Sequence, residues 1–174
     1  MEALDRRLSK MDQSLKLLLE ELKKHPDTRL NSRPDENSWS VLQVMHHLMR
    51  SEELSLRYLQ KKLQYTDSFK ASGIAHFFRY RLLRFYLRSP FKFQAPKAVD
   101  SEFLIQESTF WEMARRWSSQ REELYGFLRE IPPELHRKVV YKHPFAGRLN
   151  ILSMVDFFQE HFNRHEKQIH RLLD

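Results

Sequence analysis

There is no cysteine among the 174 residues. That excludes a disulfide framework, a thiolate zinc site and a cysteine nucleophile, and is consistent with a reducing compartment. Glycine is almost as scarce. Three glycines and seven prolines leave too little turn chemistry for a fold of strands and hairpins. No run approaches the ~18 apolar residues needed to span a bilayer, and the opening MEALDRRLSK has no apolar signal core. The expectation is a soluble, cytoplasmic, helix-rich protein with no membrane span, built as a single domain over residues 1–174.

What is present is helical periodicity. Leu4, Leu8, Met11, Leu15, Leu18, Leu19 and Leu22 form a stripe on a first helix from about Glu2 to Lys24, closed by His25-Pro26. A loop from Asp27 to Asn37 then offers Asn37 or Ser38 as the N-cap of a second helix reaching about Leu63. After a polar break at Thr66-Asp67-Ser68, Ile74 to Leu87 reads as a short helix, and Pro90 and Pro96 make Ser89 to Asp100 an extended linker. A third long helix is expected from Ser101 to Glu130. Residues Glu134 to Leu149 look irregular, with Val139-Val140-Tyr141 briefly extended. A last helix runs from Asn150 to Leu173. Four main helices with intervening loops predict an all-α four-helix bundle, a fold whose ligand sites often lie between facing helices.

The last helix carries the most informative pattern. Ile151, Met154, Val155, Phe158, Phe162, Ile169 and Leu172 follow a 3.6-residue period, and His161 and His165 fall on the same stripe one turn apart. Burying two imidazoles side by side without partners is costly. Spacing leaves two readings open, a shared divalent metal or a pair of core histidines bonded to carbonyls or water. A bundle site needs donors from a second helix, and the second helix holds His46 and His47, which point about 100° apart. His47 lies one turn from Val44 and Ser51, on the apolar side. His46 shares the wetter face of Gln43, Arg50 and Glu53. His47 is therefore taken as the inward residue and His46 as solvated. Three neutral imidazoles leave open coordination positions, the arrangement of a catalytic rather than a closed structural site. Zinc and nickel both suit such a set.

These residues resemble a known family. The stretch Trp39-Ser40-Val41-Leu42-Gln43-Val44-Met45-His46-His47-Leu48, with Glu52 beyond it, is similar to the first signature of the DinB/YfiT-like metalloprotein superfamily. His143-Pro144-Phe145-Ala146-Gly147-Arg148-Leu149, followed by His161-Phe162-Asn163-Arg164-His165-Glu166-Lys167-Gln168-Ile169, resembles the second. The resemblance implies an up-down-down-up bundle, with a short extra helix between its second and third helices, that binds a divalent metal through His47, His161 and His165. It also implies a metal-dependent enzyme acting on a small molecule, either an S-transferase using a low-molecular-weight thiol or a hydrolase.

Further candidates surround the triad. Glu52 can orient a ligand or serve as a base, or form a surface ion pair. Gln168 lies on the histidine face and can hydrogen-bond a ligand from the second shell. Arg148 and Arg164 can hold the carboxylates of a thiol cofactor, or act in structural ion pairs. Trp39 suits a seal at the bundle end, and Gly147 a turn with positive φ. His143 is an additional pocket candidate, although loop histidines are usually solvated.

Residues 77–93 depart from this picture. They interleave Phe77, Phe78, Tyr80, Phe85, Tyr86, Phe91 and Phe93 with Arg79, Arg81, Arg84, Arg88 and Lys92, in a chain of net charge +7. Such a segment can stack bases or lie on an anionic membrane. The favoured reading puts Ile74, Phe77, Phe78, Leu82, Phe85 and Tyr86 on one face, packed on the bundle or in a homodimer, with no nucleic acid as partner. The alternative to an enzyme is a non-catalytic metal-binding or interaction module that uses this segment to dock a partner.

Overall fold

The computed structural model describes residues 1–65, 69–89, 105–143 and 146–174, with the backbone alone at 74–76. Six helices and one hairpin follow in the order α1 (Glu2–Leu22), α2 (Asp27–Asn31), α3 (Val41–Leu63), α4 (Ile74–Arg88), α5 (Phe110–Glu130), β1 (Val139–His143), β2 (Gly147–Asn150) and α6 (Ile151–Leu173). The bundle consists of α1, α3, α5 and α6, with α1 and α3 each packed on both α5 and α6.

Named contacts give the helix directions. Arg7 pairs with Asp156 at 2.8 Å, Gln159 donates to Ser14, and His170 meets Glu21, so α1 and α6 run parallel. Gln43 reaches the Ile105 carbonyl just before α5, and Arg121 of α5 reaches Glu52, so α3 and α5 also run parallel. Trp39 at the head of α3 stacks near His165 while His47 meets His161, which makes α3 antiparallel to α6. The result is up-down-down-up, as expected. Two consecutive parallel helices require a connection that returns along the bundle, about 35 Å for a helix the length of α3. Helix α4 belongs to that connection and is docked along α6 by Tyr80 to Asp156 at 3.0 Å and Arg84 to Glu160 at 3.0 Å.

The stripes read from the sequence form the core. Leu4, Leu8, Met11, Leu15, Leu18 and Leu22 of α1, and Ile151, Met154, Val155, Phe158, Phe162 and Ile169 of α6, are all buried. They belong to two apolar clusters stacked along the bundle axis. Between them lies a polar layer. Glu52 sits between Met49 of one cluster and Leu56 of the other, and Arg121 sits between Trp117 and Leu124.

Several expectations are corrected. The 27–37 loop contains the one-turn helix α2. Helix α3 is capped by Ser40 rather than Asn37 or Ser38: its side chain accepts from Gln43 N–H while Gln43 Oε1 accepts from Ser40 N–H, a reciprocal capping box. Helix α5 begins at Phe110, not near Ser101, with Thr109 as its N-cap. Within the 134–149 stretch, β1 and β2 pair as antiparallel strands, with Tyr141 opposite Leu149 and His143 opposite Gly147. Gly147 has φ 70°, the positive value expected at that turn. The break at 66–68 and the linker beyond Ser89 lie outside the described residues.

Candidate metal centre

Helices α3 and α6 meet antiparallel, so a residue about two turns into α3 faces the middle of α6. The capping box sets the rotation of α3 at its first turn, and His47, seven residues after the Ser40 cap, is carried inward and 4% exposed. On α6 the i, i+4 spacing brings His161 and His165 onto that same seam, both partly buried. One nitrogen from each of the three rings lies within 4.8 Å of the other two. His47 Nε2 and His161 Nε2 are 3.2 Å apart, and the three ring centroids are separated by 4.6 to 5.1 Å.

Burial keeps the two rings of α6 neutral. Burial holds the His161 imidazole well below its ordinary pKa, reinforced by His165, His47, His143 and Arg164. Burial and the neighbouring His47 push His165 down to about 3 against the opposing hydrogen bond to Gln168. In that bond His165 Nδ1 donates to Gln168 Oε1 at 2.8 Å. The tautomer so selected leaves Nε2 as the lone-pair nitrogen.

The set fits a divalent ion. Two imidazole nitrogens each about 2.1 Å from one ion stand about 3.0 to 3.4 Å apart for right-angled to tetrahedral geometry, and the 3.2 Å approach of His47 and His161 falls in that interval. No fourth His, Cys, Asp or Glu joins the cluster among the described residues.

Aromatic side chains wall the cluster. Trp39 lies 4.9 Å from the His47 ring and 6.5 Å from the His165 ring, stacked on the latter. Phe157 stacks on His161 at 5.3 Å. The sequence assigned Trp39 only a sealing role, and nothing singled out Phe157. In hindsight the signal is spacing, since Phe157 lies one turn before His161 on α6.

The remaining candidates are distributed differently. Glu52 is five residues past His47, which turns it about 140° around α3 and away from the imidazoles. Its carboxylate accepts from Arg121 Nη2 at 2.8 Å, Arg121 Nε at 3.1 Å and Trp117 Nε1 at 3.1 Å. This ion pair is buried rather than at the surface. Arg164 donates to the Leu87 and Ser89 carbonyls at 3.1 and 2.7 Å, so its guanidinium satisfies the C-terminal end of α4. Arg148 is exposed on β2, beside a groove shared with α4.

Two histidines differ from expectation. His46 is 7% exposed, not solvated. Burial lowers its pKa, helped by Arg116 and Arg50 and opposed by Glu53, because α5 covers the face that appeared wet in the isolated helix. His143 is buried on β1, where Nδ1 accepts from the Ala146 N–H at 3.0 Å and the ring packs on Phe157 at 4.4 Å. Burial takes its pKa down to about 4.

Comparisons with known proteins agree with this fold. The family model described as the DinB superfamily matches residues 10–169. Among solved structures, the chain is similar to YfiT from Bacillus subtilis, described as a probable metal-dependent hydrolase with an unusual four-helix bundle topology. The TM-score is 0.62 at 14% identity, covering 97% of this chain and 85% of that one. No curated protein matches the chain.

Proposed function

The chain belongs to the DinB superfamily, and on that footing we propose that it is a metal-dependent enzyme whose divalent ion is held by His47, His161 and His165. The observation that carries this reading is the 3.2 Å approach of two Nε2 atoms from different helices, with the third imidazole oriented by Gln168. An ion held by three imidazoles supplies Lewis acidity, polarising a substrate oxygen and acidifying a water or thiol nucleophile. The chain's own residues set the conditions for that chemistry. Burial keeps His161 and His165 deprotonated at neutral pH, and Gln168 fixes the ring of His165. Trp39 and Phe157 offer apolar faces that exclude bulk water and can contact the substrate.

Hydrolysis of a small molecule is the leading reading, in line with the description of YfiT. Transfer from a low-molecular-weight thiol is the second, favoured by the fate of Glu52. With that carboxylate committed to Arg121, no carboxylate joins the imidazoles among the described residues. A thiol, with an ordinary pKa of about 8.5, ionises near neutrality without a separate base.

Metal content by elemental mass spectrometry tests the proposal, comparing the untagged protein with His161→Ala/His165→Ala. One zinc or nickel per chain in the parent and none in the double variant is the expected result. No metal in either, after reloading with both ions, would overturn the reading. The loaded protein is then assayed on ester and amide substrates, and separately with a thiol and an electrophilic bimane, to separate the two chemistries.

A further inference from the structure

Helix α4 does not pack on the bundle through the Phe77, Phe78, Leu82 and Phe85 face that the sequence offered for packing on the bundle or in a homodimer. Leu83 and Leu87 face inward, whereas Phe78, Leu82 and Phe85 are 65, 68 and 71% exposed. Their i, i+4, i+7 spacing makes one continuous apolar stripe on the solvent side. Phe77 is exposed beside it, with the Arg81 guanidinium 5.5 Å above its ring. A groove of about 710 Å³ opens along the edge of the stripe, lined by Arg79, Leu82, Leu83, Tyr86 and, from β2, Gly147 and Arg148.

The charge distribution is as one-sided as the hydrophobicity. Residues 68–99 contain seven Lys or Arg and no Asp or Glu, as many positive charges as the net +7 of the whole chain. Outside this segment the charges balance. Arg84 and Arg88 share the single carboxylate of Glu160, while Arg79, Arg81 and Arg148 have no carboxylate partner among the described residues.

We propose that α4 is an interfacial helix that seats the protein on an anionic lipid surface. The Phe78–Leu82–Phe85 stripe enters the acyl boundary, and Arg79, Arg81 and Arg148 meet phosphate headgroups. Apolar burial and a basic rim are the two signals that together give stable peripheral binding, where either alone is marginal. Attachment is peripheral because no described helix is long and apolar enough to cross a membrane. A second copy of the chain on this face would bring like-charged arginines together without a counter-charge. A nucleic-acid strand would need a run of stacked rings, whereas Leu82, at the centre of this stripe, has no aromatic face.

The test is co-sedimentation of the full chain with vesicles of phosphatidylglycerol and phosphatidylcholine in equal parts, against pure phosphatidylcholine. Binding to the anionic vesicles alone, weakened by added salt, is expected. Phe78→Ser/Leu82→Ser/Phe85→Ser should lower the partition at least about tenfold, with unchanged circular dichroism because the three side chains face solvent. Arg79→Gln/Arg81→Gln/Arg148→Gln leaves the stripe intact and should also weaken binding. Failure to bind anionic vesicles, equal binding to neutral ones, or full retention by both variants would overturn the proposal. So would a concentration-dependent dimer that the serine variant abolishes, or tighter binding to a single-stranded oligonucleotide than to the vesicles.

Discussion

Glu52 and Arg121 form an ion pair at 2.8 Å with each side chain only 3% exposed, in the layer that divides the two apolar clusters of the bundle. Trp117 Nε1–H and the Met11 carbonyl complete its hydrogen bonding, so the pair joins α1, α3 and α5 at one level. A buried, fully bonded pair of this kind contributes more to register than to net stability, while removal of one partner leaves the other charged and desolvated.

Glu52→Ala is therefore expected to destabilise the fold by about 3 to 5 kcal/mol, and Glu52→Leu/Arg121→Met to recover much of that loss. Urea denaturation of the three proteins measures it. Metal stoichiometry should stay unchanged in the double variant, since neither group lies among the imidazoles.

The two adjacent histidines of α3 should behave in opposite ways. His47→Ala removes one of the three clustered nitrogens and is expected to abolish tight metal binding while helicity persists. His46→Ala should keep one ion per chain, although both positions are buried. Elemental analysis with far-UV circular dichroism distinguishes them, and loss of metal in His46→Ala would refute the assignment.

Gln168→Ala deletes the acceptor that fixes the His165 tautomer at 2.8 Å. Metal affinity should fall about 10- to 100-fold, the usual effect of losing an outer hydrogen bond to a ligating imidazole. Competition against a chromophoric chelator reads this, with Gln168→Glu expected to restore binding.

In the metal-free protein, stability should fall as pH drops below about 6.5. His143 is held at about 4 by burial, so the unfolded chain takes up a proton at higher pH than the folded one. Its contribution is complete above the unfolded value and lost as pH falls toward the folded value. For His143 alone that amounts to about 3 kcal/mol. Denaturation midpoints between pH 7.5 and 4.5 should show a shallower slope in His143→Gln.

Local physics explains what was legible in the sequence. The stripes of α1 and α6, the C-terminal end of α3 and the extent of α4 were legible from apolar periodicity and its breaks, and His47, His161 and His165 stood out because imidazoles on an apolar stripe demand partners. The Ser40 cap was overlooked in favour of Asn37 and Ser38, although the reciprocal Ser40–Gln43 spacing was present. The hairpin was hidden because its strands are short, and they are stabilised by contacts far away in sequence. Tyr141 Oη meets Ser55 Oγ of α3 at 2.9 Å, and Val139 N–H donates to the Lys70 carbonyl at 2.9 Å.

The sequence by itself determined that the chain is helical and where its main apolar faces lie, and it pointed to the three imidazoles that the fold brings together. Those properties depend on composition and on spacing within single helices. Tertiary packing alone decided that α5 buries His46, that Glu52 turns to Arg121 instead of the imidazoles, and that α4 presents phenylalanines to solvent. A helix with apolar residues around most of its circumference can bury either side, and only the neighbours that meet it select which.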